Sequence, residues 1–226
     1  MEKQLGIVFT GGEGPQPDTL RRLLDEREAA PSSNAALLVA ADSGLILAEA
    51  AGLRPDWVIG DMDSLDREDR LRSYPADRVI RHPAGKDYTD TELALALLRE
   101  KGCAEAWIAG GGGGRIDHLL GIRDLFEREY FPRRWITAAE DIYCIDGDDG
   151  AAALTITVEQ GGLISVFPLG GGLWKAESAG LKWPLNNVHW ERGLYGLSNV
   201  ALVPEIAISA KQGRFMVIVE GMWRRK

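Results

Sequence analysis

The stretch Trp57-Val58-Ile59-Gly60-Asp61-Met62-Asp63-Ser64 decides how the rest of the chain reads. An apolar run meets a glycine, and two carboxylates follow at i and i+2. A short apolar run bounded in this way reads as a buried strand of a parallel sheet. Open α/β sheets take their ligands at the carboxyl ends of the strands, which is where Asp61 and Asp63 fall. In extended backbone alternate residues point the same way, so both carboxylates would converge on a hard cation such as Mg²⁺. A solvated turn that caps the next segment is the plainer alternative, and a D-x-D run alone does not choose between them.

The neighbouring segments repeat the pattern. Leu5–Phe9 is strand-like and ends at Thr10-Gly11-Gly12, either a phosphate-accepting turn of backbone N–H groups or a plain strand-to-helix turn. Residues 18–30 have helical composition, with Leu20, Leu23 and Leu24 on one side. The run 36–41 is a second strand closed by Asp42, which is either a site acid or the N-cap of a helix over about 45–51, stopped by Gly52. A short strand over 78–82 leads through Pro83-Ala84-Gly85 to Lys86-Asp87-Tyr88-Thr89-Asp90. Thr89 and Glu92 have the spacing of a capping box for a helix from Asp90 to about Lys101. Lys86 and Asp87 lie before that helix and suit a site that holds a phosphate and its metal together. The strand 106–109 enters the glycine run Gly110 to Gly114, then Arg115-Ile116-Asp117-His118, with a helix expected from Ile116 to about Tyr130. Ordering five glycines costs backbone entropy, so the run implies either close approach of a ligand or a flexible loop. Arg115 offers a fork of donors to a phosphate. Together these strand ends place Asp42, Asp61, Asp63, Lys86, Asp87, Asp90, Arg115 and Asp117 on one rim.

Beyond residue 150 the pattern changes to short alternating runs separated by glycines: 154–158, 163–167, 173–177, 200–203, 206–209 and 215–219. Such runs read as an antiparallel sandwich. The expectation is therefore an α/β, Rossmann-like parallel-sheet domain over 1–145, followed by an all-β sandwich domain over 146–226.

Composition bounds the function. The chain has 226 residues, 45% hydrophobic and 27% charged, which is ordinary for a soluble globular protein. No apolar run approaches the roughly 18 residues that a membrane span needs, and the opening residues show no signal peptide. A formal net charge of -8 disfavours a nucleic-acid partner. Cys103 and Cys144 form no C-x-x-C, so free thiols in the cytoplasm are expected.

With these residues set out, the chain resembles the thiamine pyrophosphokinase (thiamine diphosphokinase) family. The matching pieces are Ala41-Asp42-Ser43-Gly44, the Gly60–Ser64 stretch, Lys86–Asp90, Gly113–His118, Gly180–Leu185 and Leu197-Ser198-Asn199. The resemblance implies an ATP-binding transferase that moves the pyrophosphoryl group of ATP to thiamine with Mg²⁺, giving thiamine diphosphate and AMP. It implies a homodimer with thiamine held between subunits. It makes the first domain the nucleotide-binding catalytic part and the second the thiamine-binding part. Carried over residue by residue, Asp61 and Asp63 would hold the metal, and Asp61, Asp63, Asp90 and Asp117 would be the catalytic set. Asp42, Lys86, Asp87, Thr89 and Arg115 would hold the nucleotide, with Ser198 and Asn199 toward thiamine. Two departures stand out: Gly121-Ile122 lies where the family usually has an Asn, and the aromatic that stacks on thiamine in some members has no clear counterpart, with Phe215 and Trp223 as candidates.

Phosphoryl chemistry asks mainly for positioning and charge stabilisation, which carboxylates supply to a polyphosphate only through a bridging cation. Two rivals remain at this level. One is a D-x-D metal-dependent nucleotidyl or glycosyl transferase, which leaves Lys86–Asp90 and the sandwich unexplained. The other is a non-catalytic thiamine or nucleotide-binding protein, for which so many carboxylates have little use.

Overall fold

Strands and helices alternate through the first half of the chain, and the second half is built of strands. The computed structural model describes residues 4–28, 35–62, 68–83, 85, 87–148 and 152–221. The chain divides into two compact units, Met1–Ala138 and Ala139–Lys226.

The first unit contains β1 (Leu5–Thr10), α1 (Pro17–Glu28), β2 (Leu37–Ala41), α2 (Gly44–Ala50), β3 (Trp57–Gly60), α3 (Glu68–Leu71), β4 (Val79–Arg81), α4 (Asp90–Glu100), β5 (Glu105–Gly110), α5 (Ile116–Leu125) and β6 (Arg134–Ile136). Its strands are all parallel, in the order β6-β5-β1-β2-β3-β4. The order reverses between β1 and β5, because the chain steps outward from β1 to β4 and then returns to the other side of β1. β1 is the central strand and is buried along its whole length, as a strand covered on both faces must be. On α4, Ala94, Leu95, Leu97 and Leu98 are buried, and this apolar stripe lies over β1, β2 and β3. α5 ends at Leu125, short of the expected Tyr130. Its last residues close with shorter bonds, from the amides of Phe126, Glu127 and Arg128 to carbonyls three residues back, and Pro132 follows.

The second unit comprises β7 (Glu140–Asp146), β8 (Ala153–Thr157), β9 (Leu163–Leu169), β10 (Lys175–Ala179), β11 (Gly196–Val200), β12 (Glu205–Gln212) and β13 (Arg214–Glu220). Antiparallel pairing gives one set in the order β11-β9-β13-β7 and a separate sheet β10-β12-β8. Alternate residues of β9, β12 and β13 turn inward. Ile164, Val166, Ile206, Ile208, Phe215 and Val217 meet in one core. Phe215 is fully buried and meets Trp190 edge-on, with ring centroids 5.0 Å apart. Burial of a side chain of that size contributes roughly 2–3 kcal/mol.

The units part at 138/139, just ahead of Glu140–Asp146, a strand paired along its whole length with β13. One expectation is corrected here. The strand expected over 200–203 is Gly196–Val200 instead. Ala201 has already left it: its amide donates to the Gly162 carbonyl at 3.0 Å, and its carbonyl accepts from the Gly161 amide at 2.8 Å.

Candidate active site

Three acids come together at the carboxyl edge of the parallel sheet. Asp42 follows β2, and its amide donates to the Ile59 carbonyl of β3 at 2.9 Å. It takes a left-handed backbone, φ 47°, which Asp tolerates better than most residues. It is not the N-cap of α2, since Ser43 occupies that position. Asp61 follows Gly60, whose carbonyl accepts from the His82 amide at 2.9 Å, so the end of β3 is held on both sides. Asp90 opens α4 immediately after its N-cap, Thr89, and the expected capping box is present. The Thr89 hydroxyl accepts from the Glu92 amide at 3.2 Å, and the Glu92 carboxylate accepts from the Thr89 amide at 2.6 Å.

One carboxylate oxygen from each of Asp42, Asp61 and Asp90 lies within 4.8 Å of the other two. All three residues are half-buried, and the Oδ1 atoms of Asp42 and Asp90 are withdrawn from solvent. Two unit negative charges at such a distance repel by about 3 kcal/mol at an effective dielectric constant near 20. A divalent cation converts that repulsion into attraction, and three hard oxygen donors match Mg²⁺ or a similar ion. The residues fit a metal on these grounds.

The remaining expected site residues are distributed unevenly. Asp63, Lys86 and Trp223 lie outside the described residues. Asp87 is exposed. Asp117 is not in the acidic triad. It is exposed at the start of α5, where the Arg115 guanidinium donates to it through both Nε, at 3.1 Å, and Nη2. Hydrogen bonding from Arg115 holds the Asp117 carboxyl below the usual carboxylate range, and the same bond raises Arg115.

The glycine run has a structural cause. Gly112 and Glu13 exchange backbone hydrogen bonds at 2.7 and 2.9 Å, and the Gly111 amide donates to the Gly11 carbonyl at 2.9 Å. A Cβ on Gly111 would stand 2.3 Å from Ile122 Cδ1, and one on Gly112 would stand 2.8 Å from the Glu13 carbonyl oxygen. The loops after β1 and β5 therefore lie on each other, and the close approach is chain on chain. Gly114 alone of the five would meet nothing within 4 Å.

Ser198 is exposed with φ 54°, and its amide donates to Ser165 Oγ at 3.1 Å. Asn199 is buried. Its Oδ1 accepts from the amides of Trp183, 3.1 Å, and Val200, 2.9 Å, while its Nδ2 donates to the Trp183 carbonyl at 2.6 Å. Its amide is thus engaged in clamping the Gly180–Leu185 segment. Phe215 is a core residue of β13. Sequence reasoning missed the buried pair Thr10 and Thr91, one at the end of β1 and the other next to Asp90. Two hydroxyl residues in otherwise apolar, inward-facing positions were the available signal.

A model of the thiamin pyrophosphokinase catalytic domain matches residues 30–134, which include Asp42, Asp61 and Asp90. Thiamine pyrophosphokinase of Bacillus subtilis is 30% identical over 198 residues, covering 83% of this chain and 84% of that protein. The chain belongs to the thiamine pyrophosphokinase family. Solved structures agree with the assignment. Thiamine pyrophosphokinase from Bacillus subtilis superposes with a TM-score of 0.74 at 27% identity, over 97% of this chain and all of that one (100%). A thiamin pyrophosphokinase family protein from Enterococcus faecalis gives 0.70 at 25% identity, over 97% and 99%. Pyrophosphate transfer from ATP to thiamine is the general function of thiamine pyrophosphokinases, and the chain is accordingly a transferase.

Proposed function

We propose that this chain binds ATP and thiamine and transfers the pyrophosphoryl group, releasing thiamine diphosphate and AMP. The observation that carries the reading is the convergence of Asp42, Asp61 and Asp90 at the carboxyl edge of a parallel sheet in a chain of this family. The first unit serves as a Rossmann-like catalytic domain that binds the nucleotide, and the second as a β-sandwich that contributes Ser198 toward thiamine. The working form is a cytoplasmic homodimer with thiamine taken at the subunit interface. Cys103 and Cys144 are buried and not joined in a disulfide, which is compatible with a reducing compartment.

Asp42, Asp61 and Asp90 hold Mg²⁺, with Asp63 as a further donor. The ion supplies charge neutralisation for the polyphosphate. The acceptor hydroxyl oxygen of thiamine bonds to the β-phosphorus, and the bond from that phosphorus to the α–β bridging oxygen breaks. That oxygen leaves with AMP, and the hydroxyl proton passes to a carboxylate or to solvent. An ordinary aspartate, pKa about 3.9, is a weak base for an alcohol. In a loose transition state orientation outweighs basicity, so Asp90 acts by aligning the hydroxyl. Asp117 aims the Arg115 fork at the phosphates, and Lys86, Asp87 and Thr89 complete the nucleotide-binding set. Lining a site for cationic thiamine with acids suits its charge.

Incubation with thiamine, ATP and Mg²⁺ followed by product identification tests the proposal. Thiamine diphosphate and AMP in equal amounts are expected. Formation of ADP or free pyrophosphate, or binding without turnover, would overturn it.

A further inference from the structure

We infer that the buried hydroxyl pair Thr10–Thr91 positions the acidic triad and sets how tightly it takes a divalent cation. The inference rests on the reading of Asp42, Asp61 and Asp90 as a metal site. Thr10 is the last residue of β1, and Thr91 is the second residue of α4, directly after Asp90. Their Oγ1 atoms lie 2.7 Å apart, and the two residues are separated by 81 positions in the chain. Each is only 8% exposed.

Burying two hydroxyls costs free energy unless they satisfy each other, and here they do. What the bond adds is direction. Asp42 and Asp61 ride on strand ends, held by the Asp42 amide to the Ile59 carbonyl and by the His82 amide to the Gly60 carbonyl. Asp90 rides on a helix. The capping box of Thr89 and Glu92 closes within the first turn of α4, and the Glu92 carboxylate also accepts from the Arg128 guanidinium in an exposed contact, which screening by solvent keeps weak. The stripe Ala94, Leu95, Leu97 and Leu98 seats the helix by burial, which is non-directional and tolerates small rotations and slides. A hydrogen bond weakens steeply away from its preferred geometry. The Thr10–Thr91 bond therefore fixes the height and rotation of the first turn of α4 against the central strand. Asp90 is one residue away, so the same bond decides whether the third oxygen closes on an ion held by the other two. Neither threonine touches the ion; both act through Asp90.

The experiment uses the intact chain and Mn²⁺, with free ion counted by electron paramagnetic resonance. Wild type is expected to take up Mn²⁺, and Asp61→Asn to lose most of it. Thr91→Val keeps the shape and removes the hydroxyl; it is expected to weaken Mn²⁺ binding by about fivefold, the equivalent of one ordinary hydrogen bond. Thr91→Ser restores the hydroxyl and is expected to bind within about twofold of wild type. Thr10→Val should weaken binding as Thr91→Val does, and the double variant should be no weaker than either, since all three lack the same bond. If Thr91→Val fails to fold, Thr10→Val carries the test. Unchanged Mn²⁺ affinity in a folded Thr91→Val or Thr10→Val, or losses that add in the double variant, would overturn the inference while leaving the metal site intact. Absence of Mn²⁺ uptake by wild type would overturn the metal reading itself, and this inference with it.

Discussion

Gly44→Ala tests how the site is held. Gly44 opens α2 directly after Asp42 and Ser43, and it lies against the backbone of β1. A Cβ there would stand 2.1 Å from the Phe9 carbonyl oxygen, 2.4 Å from the Phe9 carbonyl carbon and 2.6 Å from the Thr10 amide nitrogen. These are main-chain atoms of a fully buried central strand, so no side chain can rotate out of the way. Ordinary contact begins near 3.4 Å, which requires α2 to back away from β1 by about 1 Å in an interior packed as densely as a crystal. The shift loosens Leu45 and Ala48, both completely buried. Overpacking alone costs about 1–3 kcal/mol, and the loosened core beneath α2 pushes the loss to the upper end, about 3 kcal/mol. Gly114→Ala is the control. It has φ +67° and open space around it, so only the left-handed backbone is penalised, by about 1–2 kcal/mol. Urea unfolding followed by far-ultraviolet circular dichroism and tryptophan fluorescence measures both. Mn²⁺ affinity should also fall in Gly44→Ala, because Asp42 is two residues away. A loss for Gly44→Ala no larger than that for Gly114→Ala would refute the steric argument.

Other outcomes are expected from the same geometry. Asp61→Asn should lower turnover at least about a hundredfold with its circular dichroism unchanged, and a stable variant with near-normal turnover would sink the metal role. Asn199→Ala leaves two amides and the Trp183 carbonyl without their side-chain partner; a stability loss of about 2–3 kcal/mol is expected in urea unfolding. Asp117 has a depressed folded-state pKa, so its pairing is fully present above the ordinary carboxylate value and is lost as pH falls through the lower folded value. Carboxyl titration by NMR should show that low value in wild type and a rise in Arg115→Ala; an unmoved titration would show that Arg115 is not its cause.

How much was legible from the residues differs along the chain. The strands ending at Thr10, Ala41, Gly60 and Gly110 were readable because each is a local apolar run stopped by a glycine or an acid. The Thr89–Glu92 capping box was readable because it spans one helical turn. The strand Glu140–Asp146 was not, since Glu140, Asp141 and Asp146 interrupt its apolar pattern. Asp141 and Asp146 are nonetheless buried, with Asp141 accepting from the Tyr143 hydroxyl and Asp146 accepting from Arg214 at 2.7 Å. The glycine run was readable as a special backbone but not as to cause, because Glu13 and Gly112 lie far apart in the chain.

The same division holds for the site. Local order along the chain determined that acids stand at successive strand ends and that a helix begins at Asp90, because periodicity and capping act over a few residues. The tertiary structure alone decided which of those acids meet. The spacing of Asp61 and Asp63 named a pair within one turn, whereas Asp42, Asp61 and Asp90 come from two strand ends and a helix start. That grouping follows from β2 lying beside β3 and from α4 crossing β1 to β3. Sheet order and helix seating are set by long-range burial and by bonds such as Thr10–Thr91, and no short window of sequence contains both partners of such a bond.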